Sequence, residues 1–533
     1  MNCGTARLGV MGAFFLLFIV GCKDKPRGPG PDSAGEPVTV GSDSATAIDY
    51  SKDTGALRKK SEEAQTAQKH FGPLSYAPMP SVFQVPKSPT KPNVILLIID
   101  AMNVSHMSAY GYHRNTTPNL SKLATKGMVF TNYISNSSWT RPSFTSIITG
   151  LTKKGHGVEL KNRDVRMDIT TLAEHFRLAG YRTAGLTGNP LTRGVWGYNQ
   201  GYQVYEDTHT MERAFPPDGW LTERAIDWIK SVKQEPFFLK IFFTAPHAPY
   251  RPVNSAKHFV TRLKTGQVVE YPFREYKTPL NKDDHEMTVA AYDDEVRYTD
   301  IQIGRLMKTL KEIGVSQKTA IVVTADHGEM LGEHNCYTHA YHMWEETLRV
   351  PFVMYLPWQK SGGVYSDELF THVDIMPTLL DVASIPDRNA AKRPGKSILA
   401  AVADGTRSDR IHISQYNAHG IQRQAVRSGR YKLIHHHKVN ASALEQLNSL
   451  HENIPHADPG DLASIAVDGE RYEFYDLVAD PRETIDLNPT MQNADAYKAL
   501  RIVLEPELGE EVEDDNQLSP EMIEALQNAG YML

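Results

Sequence analysis

Uninterrupted apolar runs alternate along this chain with stripes of apolar residues at helical spacing. NVILLIID, residues 93 to 100, carries no polar residue from Val94 to Ile99, the pattern of a strand buried on both faces. PFFLKIFFTAPH from Pro236 and TAIVVTADHGE from Thr319 are similar runs, and YRTAGLTGN from Tyr181 reads as a further strand. Between them, TLAEHFRLAGY is a helix closing at Gly180 and LTERAIDWIKSVK is another. Residues 286 to 313 place Val289, Tyr292, Val296, Ile303, Leu306, Met307, Leu310 and Ile313 on one helical stripe. Such alternation predicts an α/β domain with a mostly parallel central sheet covered by helices. Farther on, QAVRSGRYKLIHHH and RYEFYDLVADPRETIDL read as short strands and turns, which predicts a small C-terminal antiparallel sheet.

The same patterning divides the chain. The predicted catalytic domain covers residues 92–383, followed by an Ala-, Arg-, Asp- and Gly-rich linker over 384–410. The small-sheet subdomain takes 411–490, and an acidic tail with a terminal helix takes 491–533. Residues 22–91 are rich in Pro, Gly, Ser, Asp and Lys without early apolar periodicity, as expected of a flexible tether whose end packs on the domain. Residues 1–21 hold Arg7 and an apolar run from Val10 to Val20, shorter than the roughly 20 residues that span a bilayer. They predict a signal peptide. Ile19-Val20-Gly21-Cys22 resembles a bacterial lipobox, so Cys22 is the expected lipidation site and acylated mature N-terminus. That implies a cell-envelope protein held on the extracytoplasmic side through a lipid anchor in the membrane, in the periplasm and at the outer membrane if the cell is Gram-negative.

Charge and cysteines narrow the chemistry. A formal net charge of −6 leaves no basic excess for a phosphate backbone, so nucleic acid is not an expected partner. Removing Cys3 with the signal and acylating Cys22 leaves Cys336, which cannot form a disulfide framework and is assigned no role.

Asp100 and Asp326 each stand just past a predicted buried strand, and open α/β sheets bind ligands at the carboxyl ends of their strands. With His327 beside Asp326, two carboxylates and an imidazole suit one divalent ion. As an isolated pair, Asp326-His327 better suits a helix cap and a packed ring. Glu329, Glu333 and His334 are candidates to orient His327 or to supply a hydrogen bond behind the ligands, and loop packing suits them equally. The His435–His437 run, without nearby acids, reads as an exposed polar stretch, and His342 as packed or solvent-facing.

Collinear motifs then decide between these readings. VILLIIDAMNVSHMSAYGYHRNTTPNL, TRPSFTSIITGLTKKGHGV, TAPHAPY, YDDEVRYTDIQIGRLMKTL, VVTADHGEMLGEH, THVDIMPTLL and YDLVADPRE stand in the order found in the sulfatase family of the alkaline phosphatase superfamily. The chain resembles that family over about residues 92 to 380 and again over 410 to 490. The resemblance implies an alkaline-phosphatase-like α/β fold and a metal-dependent hydrolase of ester bonds.

The departures from that family are specific. Where formylglycine sulfatases place an oxidisable Cys or Ser, followed by Pro and Arg, this chain has Thr140, Pro142 and Phe144. Asn189 and Leu191 stand where those enzymes hold sulfate with Lys and His. The pattern is similar to the threonine-nucleophile branch, including lipoteichoic acid synthases and phosphoethanolamine transferases. It implies Asp100, Thr140, Asp326 and His327 as metal ligands, with Thr140 as nucleophile. His247 and His339 would contact the substrate anion or the leaving group, and Asn189 and Arg141 would be weaker substrate contacts, Arg141 being equally readable as solvated. The histidine ligand favours zinc or manganese, with calcium or magnesium open. Thr140 is expected as the N-cap of its helix, presenting free N–H groups to an anionic ester.

A threonine lacks the second hydroxyl by which a formylglycine hydrate expels sulfate. The expectation is therefore a phosphate or related ester, on a small molecule, glycan or lipid, cleaved through a covalent threonine intermediate. Three alternatives stand beside it: a sulfuric ester hydrolase, a cell-envelope phospho-group transferase, and a binding protein with a dead site.

Overall fold

A computed structural model describes residues 77–80, 88–160, 164–208, 217–251, 253, 258–262, 280–359, 362–404, 410–418, 421–439 and 469–504. The expected signal peptide, Cys22, most of the expected tether and the tail beyond residue 504 lie outside them. Among the described residues, nine strands form the main sheet in the order Ala77–Pro78, Val364–Ser366, Met128–Phe130, Phe352–Tyr355, Thr319–Ala325, Asn93–Ile99, Phe237–Phe243, Arg182–Thr187 and Val204–Glu206. Only Phe352–Tyr355 runs against its neighbours; every other pairing is parallel.

The expected runs are the centre of this sheet. Asn93–Ile99, Phe237–Phe243 and Thr319–Ala325 are buried at every position, because helices cover both faces. Phe242 stacks on Phe144 of the Thr140–Thr149 helix and Phe238 on Phe176 of the Leu172–Leu178 helix. On the opposite face, Phe237 meets Trp228 of the Asp218–Val232 helix. That helix packs beside Lys282–Glu312, which buries Tyr292, Val296, Ile303, Leu306 and Leu310 from the expected stripe.

Two stretches outside the central runs also pack on the domain. Ala77–Pro78 joins the sheet edge through Val364 and Tyr365, so the end of the expected tether adds a strand. The expected linker is instead a strap. Ile398–Asp404 is helical, Arg393 donates to Thr149 O at 2.9 Å, and Arg410 makes two 3.0 Å bonds to the buried Asp374 carboxylate. Its polar sequence hid this, since ion pairs as well as Ile398, Leu399 and Val402 hold it down.

The C-terminal sheet is an antiparallel meander of His412–Ala418, Ile421–Arg427, Tyr431–His436 and Arg471–Asp476. Tyr416, Ile421, Ala425, Ile434 and Tyr475 pack with Ile134, Trp139, Leu191 and Met343 of the catalytic domain. Val426, Leu433 and Phe474 face the Asp495–Val503 helix. Covering both faces explains a correction: His435 and His436 are buried rather than exposed, His435 stacking on Tyr472 and His436 lying 3.0 Å from Glu473.

Candidate active site

Register brings the expected metal ligands together. Ile99 pairs with Ala325 on adjacent parallel strands, so the next residues, Asp100 and Asp326, leave the sheet side by side. Phe243 pairs with Ile99 and Thr187 with Phe242, which delivers His247 and Asn189 to the same carboxyl edge. Thr140 comes from outside the sheet, as the first residue of a helix buried along its whole length. Trp139, not Thr140, is the N-cap, and Pro142 remains in the first turn where its missing N–H costs nothing.

Asp100, Thr140, Asp326 and His327 are each fully buried. His327 Nε2 lies 3.2 Å from Thr140 Oγ1, 3.4 Å from Asp326 Oδ2 and 3.6 Å from Asp100 Oδ1. Its Nδ1 sits 2.9 Å from Gly328 O and therefore carries the hydrogen, leaving the Nε2 lone pair turned toward the two carboxylates. Glu329, Glu333 and His334 thus do not orient this ring, since the Gly328 carbonyl does. Burial and the neighbouring Asp100 carboxylate push Asp326 well above the usual carboxylate range, while burial, helped by His339, holds His327 well below the usual imidazole range. One ligand atom from each of Asp100, Asp326 and His327 falls within 4.8 Å of the others. A lone pair and two carboxylates converging in a dry pocket repel one another; a divalent cation relieves that repulsion, so the donor set fits a metal.

Surrounding bonds fix these ligands. Asp326 Oδ1 accepts from the N–H groups of His327 at 2.9 Å and Ala101 at 3.3 Å. Tyr292 Oη of the long helix donates to Ala101 O and accepts from Asn103 N, at 2.8 and 2.7 Å, and so holds the loop after Asp100. Asn189 Nδ2 donates to Asp100 Oδ2 at 2.6 Å, while its Oδ1 caps the following turn at Leu191 N. Asn189 holds the Asp100 carboxylate, whereas the sequence suggested an ester contact.

Arg141 is buried rather than solvated, donating to Leu160 O at 2.9 Å with its guanidinium 4.9 Å above the Trp196 ring. Phe144, which stands where the family resemblance led us to expect arginine, points into the core against Phe242.

His339 lies over this centre. Its ring centroid is 4.2 Å from that of His327 and 4.9 Å from that of His247. His339 Nδ1 is 3.0 Å from Oε1 of the fully buried Glu329, which burial pushes up to about 8. His247 Nδ1 is 2.5 Å from Ala248 O. His342 is packed, stacked on Trp344 and 3.3 Å from Arg423. The sequence offered Glu329 as a supporting hydrogen-bond partner but not His339 as its mate, because ten residues separate them and the short hairpin of Met330–Leu331 with Tyr337–Thr338 brings them together.

Comparison with known proteins identifies the family. The sulfatase family model matches residues 92–385, and a model described as N-sulphoglucosamine sulphohydrolase, C-terminal, matches residues 332–455. An arylsulfatase of Clostridium perfringens is 27% identical over 384 residues, covering 56% of this chain and 76% of its own length. An N-acetylglucosamine-6-O-sulfatase of Bacteroides thetaiotaomicron is 24% identical, covering 81% of this chain and 89% of its own. Among solved structures, a complex with the substrate D-glucosamine-2-N,6-O-disulfate superposes with a TM-score of 0.62 at 20% identity, covering 78% of this chain and 97% of that one. The phosphonate monoester hydrolase of Agrobacterium radiobacter does so at 0.59 and 17%, covering 77% and 95%. At these identities the superpositions speak for the fold alone. The family model spans more than half of the chain and includes Asp100, Thr140, Asp326, His327 and His339: the protein belongs to the sulfatase family, as a hydrolase of ester bonds.

Proposed function

We propose that the protein hydrolyses a sulfate ester carried on a saccharide, using one divalent ion held by Asp100, Thr140, Asp326 and His327. The observation that carries this reading is the kinship with enzymes named for aryl and sugar sulfates, which extends past the catalytic domain into the C-terminal sheet. It reverses the order drawn from Thr140 alone, which put phosphate before sulfate.

The ion, when bound, would lower the pKa of the Thr140 hydroxyl and neutralise charge developing on the ester. Zinc or manganese suits the mixed nitrogen and oxygen donors. Thr140 Oγ1 attacks sulfur while the bond to the leaving oxygen breaks. With no second hydroxyl on Thr140, water then attacks sulfur, releasing sulfate and restoring the threonine. Asn189 keeps Asp100 in place, and the first-turn N–H groups after Thr140 favour the anionic group.

A phosphate or phosphonate ester is the second reading, favoured by that same missing hydroxyl, because attack at the central atom is the ordinary route for a phosphoenzyme. A panel of sulfate, phosphate and phosphonate esters with one common leaving group decides between them on the metal-loaded protein. The expected result is the highest kcat/KM for the sulfate. A phosphate preference above tenfold, about 1.4 kcal/mol of barrier, would make the second reading the function.

The cellular setting is proposed from Cys22: a lipid-anchored protein on the extracytoplasmic side. Cys22→Ala should abolish metabolic labelling by a fatty acid and release the chain from membranes, and unchanged labelling would refute the anchor.

A further inference from the structure

We propose that His435, His437 and Glu470 form a second divalent-metal site, apart from the catalytic centre, which takes a zinc-type ion and clips two strands of the C-terminal sheet together.

Side chains alternate across a strand, and the run of three histidines divides accordingly. His436 turns toward the catalytic domain, 3.0 Å from Glu473, which also accepts from Trp344 Nε1. His435 and His437 share the outer face, their ring centroids 3.9 Å apart. On the neighbouring strand His435 stands opposite Tyr472 and His436 opposite Arg471. One step further along that antiparallel register sets Glu470 opposite His437, on the outer face again. The sequence showed the histidines without an acid; pairing of the strands supplies one from 33 residues away.

Glu470 Oε2 lies 3.7 Å from His435 Nε2 and accepts from Tyr472 Oη at 3.0 Å, while the Tyr472 ring stacks on His435 at 4.3 Å. Two donors on one zinc, with bonds of about 2.0–2.1 Å at a tetrahedral angle, stand roughly 3.4 Å apart. The Glu470–His435 separation is therefore too long for a hydrogen bond and close to that of two ligands of one ion, as are the 3.4 and 3.6 Å between His327 and the two aspartates. His435 supplies the need for an ion. Its side chain keeps 4% exposure, and neither ring nitrogen makes a hydrogen bond; a buried polar atom left so is costly. Two imidazoles and a carboxylate are a zinc-type donor set, with the fourth position open to solvent. Among the described residues only Asp100, Asp326 and His327 already gather within 4.8 Å. Closing the second site takes a turn of the Glu470 side chain, which is 58% exposed, and of half-buried His437.

The chain leaves the sheet after His436 and re-enters it at Arg471, so His437 and Glu470 stand at the two ends of a long connection. An ion joining them closes that loop in the folded chain and fixes the strand from which Lys432 reaches Glu345.

The test counts zinc on the full chain, stripped with chelator, reloaded and freed of excess, beside Glu470→Gln, His437→Asn and Asp326→Ala. Glu470 is exposed and His437 half-buried, so neither substitution opens the core. Each should leave one ion fewer than the unaltered chain holds, while Asp326→Ala loses only the ion of the catalytic centre. Zinc added to stripped Asp326→Ala should raise its unfolding temperature, and should not move that of Asp326→Ala combined with His437→Asn. Cobalt(II) bound to Asp326→Ala should show the visible absorption of a four-coordinate site, erased by zinc. Equal zinc in the unaltered chain and His437→Asn would overturn the proposal, as would an Asp326→Ala protein whose unfolding ignores zinc. If the catalytic centre takes no zinc, the unaltered chain should hold a single ion that His437→Asn loses, so the two sites stand or fall separately.

Discussion

Thr140 carries one hydroxyl and a methyl group where the sequence pattern led us to expect an oxidised Cys or Ser, whose hydrate would carry two hydroxyls, and both differences bear on turnover. Its hydroxyl sits 3.2 Å from His327 Nε2 at the start of a buried helix, so Thr140→Ser preserves the attacking oxygen and loses only the methyl that restricts χ1. Partial activity is expected. Thr140→Ala should lower kcat by several orders of magnitude with little change in metal content, because the aspartates and His327 remain. Near-normal turnover by the alanine variant would instead make Thr140 structural and a water the nucleophile, and metal analysis on the same sample separates a lost nucleophile from a lost ion. At this scale the sequence was legible wherever a side chain's place follows from a strand end, as for Asp100, Asp326 and His327. It was not legible for Asn189, since a 3₁₀ turn that the residue itself caps points its amide at Asp100. No pattern of apolar positions encodes that direction.

The elements carrying these residues came out of hydrophobic patterning with little error, because runs buried on two faces and a 31-residue helix leave few alternatives. One polar residue inside such a run has its own consequence. Lys240 is fully buried in the Phe237–Phe243 strand, its ammonium 4.7 Å from the centroid of Phe144, 4.8 Å from Tyr205 and 5.4 Å from Tyr202. The aromatic faces and a 3.4 Å bond to Tyr205 Oη offset only part of its lost hydration. Burial lowers its pKa from 10.5 to about 7, against a pull upward from Asp207. Between those values the unfolded chain holds a proton that the folded chain has released, so stability rises with pH from about 7 toward 10.5 and the cost is fully present below 7. Lys240→Met should remove that slope, raising the unfolding midpoint at pH 6 and changing it little at pH 10. Parallel curves for the two proteins across that range would show the lysine to be charged and comfortable in its aromatic surroundings.

Across the whole molecule, the C-terminal sheet packs against the catalytic domain next to the loop that carries His339. The loop carrying His339 continues through His342 and Trp344 into the Glu345–Leu348 helix, and Glu345 meets the small sheet. Lys432, buried on that sheet, lies 2.8 Å from Glu483 and 3.2 Å from Glu345, and Arg427 reaches the other Glu345 oxygen at 3.1 Å. Burial pushes Glu483 up to about 8 against the pull of Lys432, and Arg427 and Lys432 hold Glu345 below its usual value despite burial. The sequence indicated a small antiparallel sheet but not this junction, since charged residues at alternating strand positions read as a solvated face until a second surface covers them. Because two carboxylates share one ammonium, removing it leaves buried negative charge rather than merely a missing contact. Lys432→Ala should therefore cost about 3–5 kcal/mol of stability and slow ester hydrolysis as the His339 loop loses its footing. Pairing Lys432→Met with Glu483→Gln removes one charge of each sign and refills the volume, so much of that loss should return. Denaturant midpoints measured together with kcat/KM decide the matter: an unchanged midpoint in Lys432→Ala would mean that apolar packing around Trp139, Tyr416 and Tyr475 alone holds the sheet over the active site.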